Sequence, residues 1–416
     1  MAVLARKLMD APAVAGAVTR DGVTLNGREV LYKAWSGKTA TDGKKYTFSL
    51  WFETSSLADF SYLGNFGADE DGQLQVYYNA DGSIVVDASS SSGTRNLVSA
   101  SSTIATNTKY FLMVVFDSTQ GTASNRVKVW FGPYAGTVSQ ASWTGSGTIS
   151  LNATFRQGDG SADSFVGAGL ATTAETISGA IGKMADVYWL DGVALSDPSS
   201  IVDSYASNAK PTAYSGAYGN TGWHLDFSTA GSLGSDTSGN GNNFTLPQVA
   251  VLGSVLSVPT TIGNGTAGGG LAAAFDGTTN QAIAASAQLA GNNAIYVGAD
   301  FGSGTEKRVY KAEIWGTNDQ GYVSGANPSV TLTLRSGTTA PAGATSGTSR
   351  GTATFTDTAN ESGNTRTINS SDKTTAIRYW HVATGTHNAT KGSAEIKFYE
   401  SLIGQITSSN QVTSYL

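Results

Sequence analysis

The sequence predicts an all-β fold, and three observations predict it. Apolar and polar side chains alternate with period two along much of the chain. Turn residues punctuate these runs at short intervals, and helical periodicity is scarce. Glycine supplies 51 of the 416 residues, well above a usual share of about 7%.

The runs can be taken in order. Residues 46–54, YTFSLWFET, put Tyr46, Phe48, Leu50 and Phe52 on one face and Thr47, Ser49, Trp51 and Glu53 on the other. Residues 73–78, QLQVYY, pass through Asn79-Ala80-Asp81-Gly82 into SIVVDA. That is a hairpin, because Asp-Gly readily takes the positive φ of a tight turn. KYFLMVVF (109–116) reads as a buried strand, with a polar loop from Asp117 to Asn125 and RVKVWF (126–131) as its partner. MADVYWL (184–190), Asp191-Gly192 and the following VAL read as a further hairpin. SDPSSIV (196–202) is the best short-helix segment, with Asp197 as N-cap and Pro198 at the first helical position. Residues 251–270 hold Pro259, five glycines from 263 on and no charge, which reads as a linker. Strand-like runs then resume at 293–301, 308–316, 329–336, 351–357, 376–384 and 393–400.

Short strands at this spacing suggest sandwiches or jelly rolls. The expected organisation is two tandem β-sandwich (jelly-roll) domains, at 30–250 and 270–402. An N-terminal arm (1–29), a linker (251–269) and a C-terminal tail (403–416) complete the chain.

Composition narrows the function. Hydrophobic residues are 40%, with 8 Trp, 17 Tyr and 15 Phe, enough apolar mass to offset the entropy of ordering. Charged residues are only 13%, against about 25% in ordinary domains. The net charge of -6 argues against a nucleic-acid partner, which needs a basic face. No cysteine occurs, so disulfides, thiolate metal sites and thiol nucleophiles are excluded. The three histidines, His224, His381 and His387, do not form the His-Glu-x-x-His pattern of zinc hydrolases. No apolar run approaches the ~18 residues of a membrane span, and the first 20 residues make a poor signal peptide.

Motifs that would carry chemistry fail on context. Gly263–Gly268 matches GxGxxG but does not lie between a strand and a helix. Gly347–Gly351 matches GxSxG inside a low-complexity stretch that reads as a loop rather than a strand-to-helix elbow. The E-x-D-x-x-E strand of laminarinase-like sandwiches is missing. Trp130, Trp189, Trp315 and Trp380 lie in alternating runs and read as core. Trp35, Trp143 and Trp223 lie beside Gly/Ser-rich loops and are candidates for stacking on a sugar. Asp236–Asn243 is rich in oxygen ligands. Its favoured reading is a turn held by Asx bonds, with Asn240 and Asn242 as candidate glycan contacts. Asp69, Glu70, Asp71 and Asp81 read as a solvated loop and hairpin turn, and all three histidines read as structural.

The segments KKYTFSLWF, FDSTQGTASNRVKVWFG, IGKMADVYWLDGVALSD and GAYGNTGWHLDFSTAGSLGSDTSGNGNNFT resemble the laminin-G/concanavalin-like sandwiches of tailed-phage virion proteins. AAAFDGTTNQA, YVGADFGSGTEKRVYKAEIWGTND and AIRYWHVATGTHNATKGSAEIKFYE resemble the discoidin-like, galactose-binding type of jelly roll. That second resemblance implies a structural Ca2+ on an early Asp-Gly loop and a late Glu, here Asp276, Thr279 and Glu395, an oxygen set suited to a hard cation. Gln281-Ala282-Ile283 stands where the family carries a Trp.

Two sandwiches without a catalytic constellation read as a holding module rather than an enzyme. The resemblance implies a bacteriophage virion surface protein, a tail fibre, spike or tail-tip subunit that binds host surface polysaccharide. It would assemble with other virion structural proteins as a homo-oligomer, with a trimer as the family-based guess. The alternative is capsid or tail decoration. A polysaccharide depolymerase is the third reading. The arm, with Arg6, Lys7 and Arg20, would attach the chain to the particle, so that removing residues 1–29 leaves a folded protein.

Overall fold

The computed structural model describes residues 20–416, apart from positions 36, 248, 266, 281 and 406 and the segments 68–73, 91–92, 156–162, 171–176, 283–286, 290–293, 318–328, 357–364 and 386–390. Arg6, Lys7, Asp69, Glu70, Asp71 and His387 lie outside the described residues. The fold is all-β. Among the described residues thirty-one strands are joined by loops and short 3-10 turns, and no α-helix occurs.

The chain divides into two compact units, Met1–Val249 together with Gly404–Leu416, and Ala250–Ile403. In unit one the first sheet has the strands β1 (Gly22–Asn26), β3 (Lys45–Thr54), β8 (Lys109–Asp117), β9 (Val127–Pro133), β10 (Ser139–Gln140), β15 (Ile181–Asp191), β18 (Trp223–Leu225) and β31 (Gln411–Val412). Their order is β10-β9-β8-β3-β15-β1-β31, with β18 also on β15. The second sheet has β2 (Leu31–Lys33), β4 (Ser61–Phe66), β5 (Leu74–Tyr78), β6 (Ile84–Ser89), β7 (Thr94–Val98), β11 (Thr144–Gly147), β12 (Ser164–Val166), β13 (Ala168–Leu170) and β14 (Ile177–Gly179). Its path is β11-β7-β6-β5-β4-β12-β2. The remaining pair is β16 (Val202–Asp203) with β17 (Lys210–Pro211).

The expected alternation along 46–54 is realised. Tyr46, Phe48, Leu50 and Phe52 enter the core between the two sheets. Trp51 enters a second apolar layer with Phe111, Met113 and Val115 on the far side of the first sheet. Trp189 joins the first core, stacked on Tyr46 with centroids 4.5 Å apart. The 74–89 hairpin forms as read. Gly82 sits at φ 78, and the Asp81 carboxylate accepts from the Ser83 amide at 2.9 Å and hydroxyl at 2.6 Å. Asp197 caps the 3-10 turn Pro198–Ser200 by accepting from the Ser199 amide. Trp380 is core as read, whereas Trp130 and Trp315 are only half-buried.

In unit two, β19 (Val249–Val255), β24 (Val309–Trp315), β27 (Thr365–Asn369) and β30 (Glu395–Gly404) make one sheet, in the order β19-β30-β24-β27. A second sheet has β20 (Thr260–Gly263), β23 (Tyr296–Asp300), β25 (Ser329–Gly337), β26 (Thr348–Thr356) and β28 (Tyr379–Thr384), in the order β20-β23-β28-β25-β26. The short strands β21 (Ala267–Gly268), β22 (Ala287–Leu289) and β29 (Lys391–Ser393) form a third. Ser349 of the GxSxG match lies within β26.

Four expectations are corrected. Residues 22–26 are no arm: β1 pairs with β15 over five residues, and Val23 and Leu25 are core. Residues 251–269 are no linker, because β19, β20 and β21 are paired in the sheets of unit two. The tail 404–416 belongs to unit one. Its β31 adds to β1, and Arg20 and Leu416 exchange both backbone hydrogen bonds at 3.2 Å. The units are therefore not simply tandem, since unit two is inserted between the body of unit one and its last strand. The hairpin at 184–195 does not form. β15 pairs with β3, β1 and β18, and residues after Gly192 attach through the Thr47 hydroxyl, which donates to the Val193 carbonyl at 2.8 Å.

Deleting residues 404–416 is expected to lower the thermal midpoint of unit one, as deleting residues 1–29 should, because each removes a strand of the first sheet. Thermal melts monitored by tryptophan fluorescence check this, since Trp51, Trp189 and Trp223 all lie in unit one. An unchanged midpoint in both truncations refutes the pairing.

Candidate functional site

The second sheet of unit one turns Leu74, Val76, Tyr78, Ile84, Val86, Ala88 and Leu97 into the core. Successive side chains alternate across a strand, so the residues between them face outward. Register makes these outward residues a continuous row. Tyr32 stands opposite Phe165, Phe165 opposite Asn65, Asn65 opposite Gln75, Gln75 opposite Asp87, Asp87 opposite Asn96, and Asn96 opposite Ser146. The polar part, Asn65–Gln75–Asp87–Asn96–Ser146, crosses five strands. At the usual strand spacing of about 4.8 Å it is about 19 Å long.

A second row runs beside it. Tyr62 opposes Tyr77, with ring centroids 5.1 Å apart. Phe60 lies 5.5 Å from Tyr77, is 53% exposed and holds φ 54. A bulky side chain in the left-handed region costs roughly 1–2 kcal/mol, a strain that clusters at binding sites. Tyr62 is held from beneath by Gly169, where even a Cβ would come within 2.6 Å of its ring. A bulge in β4 between Tyr62 and Gly64 lets Leu63 reach the core while keeping Tyr62 and Asn65 on the outer face.

The polar row carries unmet hydrogen-bonding capacity. Asn65 is 6% exposed, and its Oδ1 lacks a hydrogen-bond partner. Asp87 Oδ1 also lacks one. Burial pushes the Asp87 carboxyl above its ordinary pKa. Burial first, and then the Asp87 charge, push the Tyr62 phenol up. Buried acceptors left unpaired cost about 1–3 kcal/mol each, and a ligand that donates to them recovers that cost. Aromatic faces beside such acceptors can seat the apolar face of a sugar while its hydroxyls donate. Gln75, Tyr77 and Asp87 were recognisable from the sequence, since they alternate with the core residues of the hairpin. What joins them to Asn65 and Asn96 is pairing between strands far apart in the chain.

The residues singled out in the sequence serve other ends. Trp35 is buried in the core; its Nε1 donates to Ser164 Oγ at 2.8 Å, and Lys33 Nζ lies 4.6 Å over its ring. Trp223 is fully buried against Phe244. Neither presents a face to a sugar. Trp143 is half-buried, 6.0 Å from Phe131. Asn242 is fully buried; its Nδ2 donates to the carbonyls of Gly222 at 2.8 Å and Asn220 at 3.1 Å, and its Oδ1 accepts from Lys38 Nζ at 2.5 Å. Asn240 is exposed, but its Nδ2 is spent on the carbonyls of Gly219 and Gly222. The Asp236 carboxylate accepts from the amides of His224, Ser238 and Asn242 at 2.8–2.9 Å. The 236–243 loop is the Asx-bonded turn, and its amides tie it to residues 219–222.

His224 is satisfied. Asp186 can only accept, so Nε2–H donates to Asp186 Oδ1 at 2.7 Å, while Nδ1 lies 3.0 Å from the Thr237 hydroxyl. Its ring stacks on Tyr188 at 4.0 Å, and Arg20 Nε pairs with the same Asp186 oxygen at 3.2 Å. Asp186 holds φ 53 at the β15 bulge. This cluster, with Arg20 beside the chain's last residue, locks the first sheet.

In unit two the structure brings Glu395 to the Asp276 loop, where Glu395 Oε2 accepts from the Gly277 amide at 3.1 Å. Burial first, then the nearby Asp276 charge, push Glu395 up to about 6. Asp276 is exposed and Thr279 half-buried. Two neighbouring carboxylates are oxygen ligands of the kind a divalent cation takes. Among the described residues, no three His, Asp or Glu groups converge as a metal cluster. His381 is 1% exposed and both ring nitrogens lack partners; burial, then Arg335, push it down to about 4.

No protein-family model matches the chain, and no curated protein does. Among solved structures, the chain is similar to the CBM40 of Ruminococcus gnavus IT-sialidase bound to α2,3-sialyllactose, at 12% identity and TM-score 0.29, over 44% of this chain and 96% of that one. It is similar to CBM62 from Clostridium thermocellum Xyl5A, at 20% identity and TM-score 0.25, over 35% of this chain and 96% of that one. It is also similar to full-length tailspike protein 2 from Escherichia coli O157:H7 bacteriophage CAB120, at 13% identity and TM-score 0.26, over 43% of this chain and 24% of that one.

Two outcomes are expected. Asn242→Ala strands the Asn220 carbonyl and removes an acceptor of Lys38 Nζ, and should cost about 1–3 kcal/mol in a denaturant melt; a loss below 0.5 kcal/mol, the usual limit for surface substitutions, overturns the structural reading. For His381, the folded pKa of about 4 lies below the unfolded value of 6.5. The unfolded chain therefore binds the extra proton first, and stability falls by about 3 kcal/mol as pH drops through that window. Glu395 acts with the opposite sign, its contribution being present below 4.5 and lost as pH rises through about 6. Melts of His381→Phe against the parent chain isolate the histidine, and an unchanged acid slope in the variant refutes the assignment.

Proposed function

We propose that this chain is a non-catalytic glycan-holding protein of a tailed-phage virion surface, and that the outer face of the second sheet in unit one is where saccharide lies. The observation that carries the reading is the pairing of an aromatic row, Phe60–Tyr77–Tyr62, with a polar row that contains buried, unpartnered acceptors at Asn65 and Asp87. The polar row supplies one carboxylate, whereas glycoside hydrolysis needs two about 5–9.5 Å apart. That favours holding over cleavage. The virion setting rests on the resemblance of residues 46–131 and 181–245 to phage sandwiches. Weak single contacts gain avidity through repeated copies, which is the use of a homo-oligomer, a trimer by the family expectation, joined to other virion proteins.

Asp276 and Glu395 would hold the structural Ca2+ implied for unit two, with Thr279 beside them. The ion would offset the burial and the Asp276 charge that raise Glu395. No step of glycan holding passes through it.

The double variant Tyr62→Ala/Tyr77→Ala should weaken binding to host surface polysaccharide by tenfold or more, since each aromatic contact is worth about 1 kcal/mol. Titration calorimetry on the full chain measures it. Equal affinity with and without the two rings would sink the reading. Release of new reducing ends from host polysaccharide would replace holding by depolymerisation. A labelled-particle image with the chain covering the capsid lattice, rather than projecting from it, would favour decoration.

A further inference from the structure

Resting on the glycan-holding reading of this sheet face, we propose that the face selects uncharged saccharides and rejects acidic ones, those bearing uronate, sialate or phosphate groups. The selectivity would come from the placement of charge and of unmet acceptors along the row.

Donors are what the row asks for. Asn65 Oδ1 belongs to a side chain that is more than nine-tenths buried, has no partner and belongs to the outer row. Asp87 Oδ1, two strands away, is also buried and without a partner, on a side chain that is half-buried as a whole. An uncharged sugar brings hydroxyl and N-acetyl N–H donors to both oxygens. A carboxylate or phosphate brings only acceptors.

Charge adds to the mismatch. Asp87 is the charged member of the row among the described residues. Asp163, which accepts from the Tyr32 hydroxyl at 3.0 Å, sits at the far end next to the Tyr32–Phe165 pair. No lysine or arginine stands in the row. Arg95 is opposite Ala88, a core-facing residue, and its guanidinium donates to the Gly147 carbonyl at 3.0 Å. A ligand anion would thus enter a half-desolvated site holding a carboxylate and no counter-charge, where like charges repel more strongly than in water. Anion-recognising sites rely on arginine forks or oriented backbone amides instead. The aromatic row is indifferent to charge, so it supplies grip while the polar row supplies the choice.

A microarray of bacterial surface polysaccharides with neutral and acidic members, probed with the full chain at low salt, tests the proposal. Four proteins are compared: the parent chain, Tyr77→Ala, Asp87→Asn and Asn96→Lys. Asn96 is half-buried, so a lysine there can reach solvent, and this variant does not depend on tolerance at Asp87. Neutral members should bind the parent chain, and Tyr77→Ala should reduce that signal about fivefold. Asp87→Asn and Asn96→Lys should each admit acidic members by tenfold or more over the parent chain. Acidic members bound by the parent chain as well as neutral ones, with a signal that falls in Tyr77→Ala, overturn the proposed selectivity and leave glycan holding intact. Hits indifferent to Tyr77, or no hits at all, overturn the glycan-holding reading and this inference with it.

Discussion

Burial of the first sheet of unit one on both faces governs the rest of that unit. Strands β3, β8 and β15 carry bulky apolar groups on alternate sides. Tyr46, Phe48, Leu112, Val114 and Trp189 enter the inter-sheet core, and Trp51, Phe111, Met113, Val115 and Ala185 enter the outer layer. An apolar outer face must be covered, because each buried side chain of this size is worth about 1.5–3 kcal/mol relative to exposure. Ile201, Val202, Ala209, Tyr415 and Leu416 provide the cover. The loops after β15 and the last residues of the chain are thereby committed to structure.

That commitment leaves the outer face of the second sheet as the half-open β surface of unit one. It also explains the fate of the tryptophans. Trp35 and Trp223 lie beside glycine-rich loops because close approach of those loops seals the core over them. Asn240 and Asn242 act for the same reason as pins between two turns, and their amide groups are spent on backbone carbonyls. Loops rich in asparagine and glycine look alike in sequence whether they hold a ligand or hold themselves.

The buried polar groups of unit one gather in two places, at Asp186 and along the outer row of the second sheet. Asp186 is fully buried, and its left-handed backbone places one oxygen between His224 and Arg20. Asn65 is buried and Asp87 half-buried, and each has a buried oxygen with no partner. Asp186 Oδ2 is empty as well, so what sets Asn65 and Asp87 apart is their place in one outward row beside the Tyr62 and Tyr77 rings.

The sequence by itself determined the all-β class, the hairpin at Asp81-Gly82, the two faces of residues 46–53 and the cap at Asp197. Each is set by local alternation or local turn chemistry. It also fixed the outward direction of Gln75, Tyr77 and Asp87, since side-chain direction follows from strand period alone. Tertiary structure decided what depends on pairing across long stretches of chain. It placed residues 22–26 and 411–412 beside each other in one sheet, drew 249–268 into unit two, and aligned Asn65, Gln75, Asp87, Asn96 and Ser146. Register between distant strands is selected by the whole buried face rather than by any one segment, so a polar row built across five strands cannot be read along one.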